Sequence, residues 1–403
     1  MNEQTTCTKR HCMVVHAYYP LGEVRVQREA EALIDHGYEV DVICLRIPGE
    51  AASDLYNGVN VYRLPVRRHK RRRTWVQFLE YLMFFTLAFC KLTVLHLRRR
   101  YNVVQLHNLP DFLVFAALVP KLMGVPIILD IHDLMPEFFA SRFGKAPNSL
   151  LVRLIRLQEQ LSCRFANHVI TVSEHWRQSL IQRGVPSDKC SVLMNLADPR
   201  VFDRSVLPQP RDDGLFRLIY HGSIPRRYGL DLALRAIDQV RAEIPNVHLT
   251  IIGRGEHLEE LLGLAKELNL EENVRFEEFM SVEALPAYIA AADLAVVPYH
   301  NDVFTDELVP TKLLEYMALG VPAIVSRTMG ISAYFDDTVV QFFTPGSVEE
   351  LAHCIRELYH DRARLATLAE NTERFNQRYN WSSQSADYVR LVDRLGSKQH
   401  RTG

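Results

Sequence analysis

The stretch FRLIYHGSIPRRYGLDLALRAIDQVRAEIPNVHLTIIGRG, residues 216–255, decides the fold. Its opening FRLIYHGS predicts a buried strand, LDLALRAIDQVRAE predicts a helix, and VHLTIIGRG predicts the next strand. A strand, a helix and a strand in this order indicate two parallel strands joined by a crossover helix. This unit is typical of doubly wound α/β sheets, in which helices cover both faces.

The same alternation occurs on both sides of this stretch. Before it, strands are predicted at CMVVHAYYP, EVDVICL, VNVYRLP, VVQLHN, PIILDIHD and HVITVS, with helices between them, including one from Phe112 to Met123. A polar, proline-rich segment, LADPRVFDRSVLPQPRDDG, separates the two series and is interpreted as a linker. We therefore predict two doubly wound domains, 1–200 and 201–375, with a helical tail, 376–403. Ligands are expected in the cleft between them, where strand C-termini meet helix N-termini.

The composition of the chain indicates which broad classes of protein fit and which do not. The chain has 403 residues, 48% hydrophobic and 24% charged, which is typical of a soluble globular protein. Its net charge of -1 gives no reason to expect a nucleic-acid partner. Seven scattered cysteines favour reduced thiols in the cytoplasm, and no signal peptide is visible. CTKRHCMVVH at the start could be read as a metal site, but a first buried strand fits it better.

One segment of the first domain has the composition of a membrane-surface helix. RRHKRRRTWVQFLEYLMFFTLAFCKLTVLHLRRR, residues 67–100, has a basic block at each end and apolar and aromatic residues between. Its longest uncharged run, Tyr81 to Cys90, is shorter than the roughly 20 residues that span a bilayer. We therefore expect contact with an anionic membrane surface, and a core helix preceded by a basic loop is the alternative.

Two glutamates flank the predicted start of a helix in TDELVPTKLLEYMALGVPAIVS, residues 305–326. Pro310 suits the first turn and Gly320 ends the helix, so Glu307 lies in the preceding loop and Glu315 just past the first turn. The free N–H groups at a helix start favour an anion. At about 1.5 Å rise per residue, the acids are separated by roughly the length of a diphosphate. This spacing predicts a nucleotide-diphospho-sugar site, with Glu307 on the sugar and Glu315 on the ribose. Solvated glutamates on a helix face are the alternative.

ELVPTKLLEYMALGVPAI also resembles the E-x7-E signature of the retaining GT-B glycosyltransferases of family 4. The resemblance covers nearly the whole chain, because further segments resemble the family in the expected order: YYPLGEVRVQREAEALIDHGYEVDVI, VVQLHNLPD, DIHDLMPE, VLMNLADPRVF, YHGSIPRRYGLDLALRAI, LTIIGRGE, VRFEEFMSVEALPAYIAAADLAVVPY and YNWSSQSADYVRLV. It implies an α/β GT-B fold of two Rossmann-like domains facing across a cleft, with a C-terminal helix that returns to the first domain.

The resemblance also implies roles for individual residues. His132, in DIHD, is similar to a cleft histidine near the donor sugar, although a satisfied core histidine is the alternative. A lysine commonly precedes the glycine of GSIPRRYG, but this chain has Tyr228 there. Arg226 or Arg227 is therefore expected to bind the diphosphate, with Lys312 as a third candidate, and we favour Arg227. The expected catalytic set is His132, Glu307 and Arg227; donor contacts are Gly22, Gly222, Arg226, Phe279, Met280, Thr311, Lys312 and Glu315; acceptor contacts are His107 and Asn108.

The expected activity follows from the resemblance. It is the retaining transfer of a sugar from a nucleotide-diphospho-sugar, without a metal or a cofactor. No Asp-x-Asp lies at a strand end where it would bind a metal, and GRGEHLEE lacks the third glycine of a dinucleotide site. The acceptor is expected to be lipid-linked, in surface polysaccharide or glycolipid synthesis at the inner face of the cell membrane. A nucleotide-sugar epimerase of related fold and a non-catalytic binding protein are the alternatives.

Overall fold

The computed structural model describes residues 8–21, 23–67, 74–146, 148–206 and 213–399. They form two compact units, one from the described residues of Met1–Met194 and Ser382–Gly403, and one from those of Asn195–Trp381. The sequence placed the domain boundary after residue 200 and a separate tail from residue 376. In the structure the first unit instead ends at Met194 and resumes at Ser382.

The first unit is built on one sheet. Its strands are β1 (Arg10–Tyr18), β2 (Glu39–Leu45), β3 (Ser53–Tyr56), β4 (Val59–Leu64), β5 (Val103–His107), β6 (Ile127–Ile131), β7 (His168–Thr171) and β8 (Cys190–Val192). The order is β3-β4-β2-β1-β5-β6-β7-β8, and among these described strands β3 pairs antiparallel with β4 while the other pairs are parallel. The direction of winding reverses between β1 and β5, and ligands of such sheets bind outside the carboxyl ends of the strands at this point.

Helices cover both faces of this sheet, as the near-continuous apolar strands require. They are α1 (Val24–Asp35), α2 (Thr74–Arg99), α3 (Leu118–Leu122), α4 (Met135–Phe143), α5 (Leu150–Phe165) and α6 (Glu174–Gln182), with 3₁₀ turns at Asp111–Ala117 and Ser187–Lys189. The interior of β1 is fully buried from Cys12 to Val14.

The helix α2 carries the predicted membrane-surface segment. Its inner face buries Phe84, Ala88 and Leu92 against the sheet, whereas its outer face exposes large apolar side chains, among them Phe78, Leu79, Leu82 and Met83. By length and composition alone, Val76–Arg99 could cross a bilayer, since an 18-residue window within it has a mean hydropathy of 1.7. The packing of its inner face is that of the crossover helix between β4 and β5. Residues 68–73 of the preceding basic block lie outside the described residues.

The second unit is a smaller parallel sheet. Its strands are β9 (Phe216–Ser223), β10 (Val247–Arg254), β11 (Val274–Glu277), β12 (Leu294–Val297), β13 (Ala323–Ser326) and β14 (Gln341–Phe343). The order is β11-β10-β9-β12-β13-β14, with parallel pairing throughout these strands. Its helices are α7 (Leu230–Val240), α8 (Leu258–Glu267), α9 (Leu285–Ala290), α10 (Thr311–Leu319), α11 (Met329–Ser332), α12 (Val348–His360) and α13 (Arg362–Arg378), with 3₁₀ turns at Arg204–Val206 and Arg226–Tyr228. Winding reverses between β9 and β12.

The last helix, α14 (Trp381–Gln399), packs on the first unit. Tyr388 Oη donates to the buried Gln105 Oε1 at 2.7 Å, and Asp393 accepts from Tyr38 Oη and Lys9 Nζ, both at 2.6 Å. The predictions of an α/β fold with two Rossmann-like units and of a C-terminal helix that returns to the first are thus confirmed.

Candidate active site

The first part of the candidate site is the start of α10, at the reversal point of the second sheet. Pro310 is the N-terminal capping residue, with φ of -67°, and Gly320 ends the helix in the left-handed conformation, with φ of 73°. Both agree with the boundaries expected from the sequence. Thr311 is exposed in the first turn, whereas Lys312 is buried beneath it. Within the described residues, the N–H groups of Thr311 and Lys312 in this turn have no hydrogen-bond acceptor, as an anion site requires.

Glu315 lies one turn into α10 beside a histidine that the sequence analysis missed. His221 Nε2, at the end of β9, is 2.7 Å from Glu315 Oε2. Burial and the nearby Lys312 lower the pKa of His221 to about 3, so its ring is neutral at physiological pH. Its backbone N–H donates to Tyr316 Oη at 3.2 Å. These contacts fix the Glu315 carboxylate at the strand end. The signal was present, since His221 is a polar residue at a strand C-terminus, as is His132.

Glu307 lies in the loop between β12 and α10, and α11 fixes this loop. The Gly330 N–H donates to Asp306 O at 2.7 Å, and the Met329 N–H donates to Asp306 Oδ1 at 3.0 Å. A Cβ at Gly330 would lie 2.5 Å from the carbonyl oxygen of Glu307. Because the backbone of α11 approaches so closely, the position of Glu307 is determined by packing, not only by its neighbours in sequence.

The three candidate cations differ in their surroundings. Arg226 is exposed and forms an ion pair with Glu260 of α8. The Arg227 guanidinium lies 5.3 Å from the centre of the Phe304 ring. Lys312 is buried and donates from Nζ to Tyr299 Oη at 2.8 Å. Of the three, Lys312 lies within the first turn of α10, where the diphosphate is expected.

The remaining predicted donor contacts are dispersed. Gly222 is the penultimate residue of β9 and has φ of 109°. Phe279 is exposed after β11, and the Arg254 guanidinium lies 4.5 Å from the centre of its ring. Met280 follows and is half-buried. Gly22 lies outside the described residues. Gly253 serves packing, because a Cβ there would lie 1.9 Å from Gly222 O.

The first unit holds a second polar cluster at the ends of β5 and β6. Asp130 Oδ2 accepts from His107 Nδ1 at 2.8 Å, and His132 Nδ1 lies 3.8 Å from the same atom. Arg25 binds both Asp130 oxygens, at 2.7 and 2.8 Å. Burial opposes a charge on His132, but the interaction with the neighbouring Asp130 carboxylate outweighs it and raises the pKa of His132 to about 9. His132 is therefore an imidazolium at neutral pH.

The two predicted acceptor residues have supporting positions in this cluster. His107 is fully buried. Asn108 Oδ1 accepts from the His132 N–H at 3.0 Å, and its Nδ2 donates to Asp111 Oδ1 and to Asp133 O. Both side chains are buried. Asn108 holds the backbone of His132, and His107 holds Asp130, whose carboxylate lies beside the His132 ring. Asp130 and Arg25 were not predicted.

His107, Asp130 and His132 are also the one group, within the part of the chain that the structure describes, whose ligand atoms are close enough to hold a metal ion. The three atoms lie within 4.8 Å of one another. Arg25 already binds both oxygens of Asp130, and the positive charges of Arg25 and of the protonated His132 oppose a metal cation there. The absence of a required metal stays a prediction.

Comparison with known proteins matches both units to glycosyltransferases. Residues 22–195 match the family model described as glycosyl transferase 4-like domain, and residues 204–375 match glycosyl transferases group 1. An uncharacterized glycosyltransferase of Methanocaldococcus jannaschii is 24% identical over 376 residues, 90% of this chain and 91% of that protein. The amylovoran biosynthesis glycosyltransferase AmsK of Erwinia amylovora is 27% identical over 219 residues, 52% of this chain and 53% of AmsK. The structure of Anabaena HepE in complex with UDP-glucose has a TM-score of 0.71 at 17% identity, over 95% of this chain and 99% of HepE.

Proposed function

Since the chain belongs to the GT-B glycosyltransferases of family 4, we propose that it transfers a sugar from a nucleotide-diphospho-sugar to its acceptor with retention. The observation that carries this proposal is the start of α10, where Glu307 precedes a free helix N-terminus and Glu315, fixed by His221, follows it. A helix N-terminus stabilises a diphosphate, and a carboxylate accepts hydrogen bonds from sugar hydroxyls. HepE, which shares the fold, binds UDP-glucose, and this supports the same class of donor.

The reaction needs stabilisation of two charges. Departure of the nucleoside diphosphate builds negative charge on phosphate oxygens, which the α10 N–H groups and a nearby cation would stabilise. The reacting sugar gains oxocarbenium character. In the first unit, the protonated His132 would donate a hydrogen bond to a sugar hydroxyl. The route for retention is attack on the face that the leaving group departs from, assisted by the leaving phosphate. The anomeric configuration of the product, measured by NMR, tests retention.

Independence from a divalent metal is part of the proposal. The charge of the diphosphate would be balanced by side-chain cations and helix N–H groups, so dialysis against EDTA should leave the transfer rate unchanged. A loss of activity with EDTA that Mg²⁺ or Mn²⁺ restores would contradict it. No cofactor besides the sugar donor is proposed.

The site is tested by binding and by turnover. A thermal-shift panel of nucleotide sugars should contain one that stabilises the protein, by about 2.7 kcal/mol at 100 times its Kd. Glu307→Gln should weaken that stabilisation, while Glu259→Gln, an exposed glutamate of α8, should not. If the donor alone is converted into an epimer, the epimerase alternative holds. If no nucleotide sugar binds, the protein is a binding protein of the same fold.

We further propose that the protein acts at the inner face of the cytoplasmic membrane on a lipid-linked acceptor of surface polysaccharide or glycolipid synthesis. The exposed apolar face of α2, with basic residues at both ends of its segment, supports this. AmsK is an amylovoran biosynthesis enzyme, which supports the polysaccharide class.

Vesicle sedimentation tests the membrane proposal. The protein should bind vesicles containing phosphatidylglycerol more tightly than pure phosphatidylcholine vesicles. Since each basic residue near the surface contributes about 1 kcal/mol, neutralising three charges within residues 67–73 should weaken binding by at least tenfold. Phe78→Glu should also weaken it, whereas Leu262→Glu, at an exposed position of α8, should not. Equal binding of all variants would refute the proposal.

A further inference from the structure

Lys312 has an unusual environment for a lysine. It is almost completely buried, and its Nζ lies 4.8 Å from the ring centres of Tyr220 and Tyr228 and 5.2 Å from that of Tyr299. Tyr228 stacks on Tyr299, with ring centres 4.2 Å apart and planes 10° apart. Nζ also donates to Tyr299 Oη at 2.8 Å. Among the described residues, no carboxylate lies within ion-pair distance of Nζ, and a buried charge without a counter-ion is costly.

Tyr228 occupies the position at which the family resemblance leads us to expect a lysine. The turn that carries it is fixed, because Gly229 has φ of 64° and a Cβ there would lie 1.8 Å from Pro298 O. A lysine side chain at 228 would therefore enter the space of the tyrosine ring, next to Lys312. Two ammonium groups so close would repel each other. Relative to the pattern expected from the family, the cation is supplied by α10 instead of the turn, and the turn supplies an aromatic ring. We call this the exchange of positions.

The amine of Lys312 borders the strand end where a ligand is expected. A Cβ at Gly222 would lie 3.4 Å from Lys312 Cε and 3.6 Å from Nζ. The lack of a side chain there allows a ligand to approach the amine closely. The other two candidates are engaged elsewhere, Arg226 with Glu260 and Arg227 beside Phe304.

We propose that Lys312 is the cation that binds the donor diphosphate, and that Tyr228, in place of the expected lysine, positions its amine. This inference rests on the proposed function and replaces Arg227, which the sequence favoured. The diphosphate supplies the negative charge that balances the Lys312 ammonium, which the three surrounding tyrosine rings cannot do.

Binding should then be accompanied by uptake of a proton. Burial lowers the pKa of Lys312 to about 7, and Glu315 only partly opposes this, so about half of the unliganded protein carries a neutral amine at pH 7. An anion beside the amine favours its charged form. The groups around the amine are Tyr220 and His221 on β9, Tyr228 on the turn, Tyr299 after β12 and Glu315 on α10. Arg227 lies next to Tyr228 in the turn, and Tyr316 of α10 lies beside His221. Burial raises the pKa of Tyr220, Tyr299 and Tyr316 above the neutral range, and that of His221 lies at about 3.

Isothermal titration calorimetry at pH 8, in two buffers of different ionisation enthalpy, measures the uptake. The probe is whichever of UDP-glucose and GDP-mannose stabilises the wild-type protein more. The diphosphate of either compound is esterified at both ends and therefore does not titrate near neutral pH. We expect about 0.9 proton taken up per ligand bound, as a free amine with a pKa near 7 requires. Lys312→Met should abolish the uptake and weaken binding by about tenfold or more. Lys266→Met, an exposed lysine of α8, is the matched control and should bind as the wild type does.

The exchange of positions gives a second test. Adding Tyr228→Lys to Lys312→Met should recover at least part of the lost affinity, because it restores the cation from the turn. If neither nucleotide sugar binds the wild-type protein, the proposed function itself fails for these donors. If the wild type binds without proton uptake, or if Lys312→Met binds as tightly, only the assignment of Lys312 is overturned. A double variant that unfolds at the wild-type urea midpoint but recovers no affinity would refute the exchange.

Discussion

Asp130→Asn should change the protonation state of His132, although the two side chains differ little in size. In the wild-type protein, the buried Asp130 carboxylate contacts Arg25, His107 and His132. The asparagine removes the negative charge and keeps the shape. Burial, which disfavours the charged imidazolium, is then no longer opposed by the Asp130 carboxylate. The pKa of His132 should therefore fall from about 9 to below its ordinary 6.5.

The magnitude follows from the two pKa values. A pKa of about 9 instead of 6.5 corresponds to about 3 kcal/mol in favour of the imidazolium. Because the folded-state pKa is raised, this stabilisation is fully present below pH 6.5 and is lost as the pH rises through about 9. In Asp130→Asn the contribution is absent. Arg25 also loses one of its two buried carboxylate partners, since Glu29 stays 3.1 Å from it, and breaking a buried pair costs up to about 3–5 kcal/mol.

The assay is an NMR titration of the histidine ring protons, with His132→Gln to assign the resonance, combined with urea unfolding at pH 7. Asp133→Asn is the control, since Asp133 raises the pKa of His132 less than Asp130 does. Its His132 should titrate nearer to 9 than to 6.5. A His132 that still titrates near 9 in Asp130→Asn, or near 6.5 in the wild type, would show that Asp130 does not set its charge.

Two further predictions concern packing, one within the second unit and one at α14. Gly253→Ala should lower the free energy of unfolding of the second unit in urea by at least 2 kcal/mol, since its Cβ would lie 1.9 Å from Gly222 O. Gly263→Ala is the control, because a Cβ there has no atom within 4 Å, and it should raise the free energy of unfolding by up to about 1 kcal/mol. Equal effects of the two substitutions would refute the reasoning. Tyr388→Phe should lower the free energy of unfolding by about 1–3 kcal/mol, because the buried Gln105 Oε1 loses its hydrogen-bond donor. An unchanged urea midpoint would show that this hydrogen bond does not hold α14 on the first unit.

Much of the fold could be predicted because its signals are local. The strand, helix and strand of 216–255 occur as β9, α7 and β10, and Pro310 and Gly320 bound α10. Two local features were still misjudged. The hairpin of β3 and β4 was missed, although Asn57 and Gly58 form its two-residue turn with positive φ. The helix expected at 112–123 is a 3₁₀ turn followed by the short α3.

The contacts that define the candidate site depend on strand order, which is not a local property. His221 meets Glu315 because β9 lies beside β12, and the chain between them passes through two other strands. Arg25 reaches Asp130 from α1 across 105 positions in sequence. Spacing identifies Glu307 and Glu315 as candidates, and the family resemblance adds His132. They do not reveal which residues fix these side chains or set their charge.

The two polar clusters balance their buried charge differently, and this difference suggests a division of roles. In the first unit, the chain supplies both signs, since the carboxylates of Asp130 and Glu29 pair with Arg25, and Asp130 also keeps His132 protonated. In the second unit, Lys312 is buried among tyrosine rings without an ion pair among the described residues. Buried charge requires a partner, so a ligand anion gains most beside Lys312. His132 already has its counter-charge and is therefore suited to donating a hydrogen bond to a neutral sugar hydroxyl. On this reasoning, removing the charge of Lys312 should weaken binding of a nucleotide and a nucleotide sugar alike. Removing His132 should weaken only the latter.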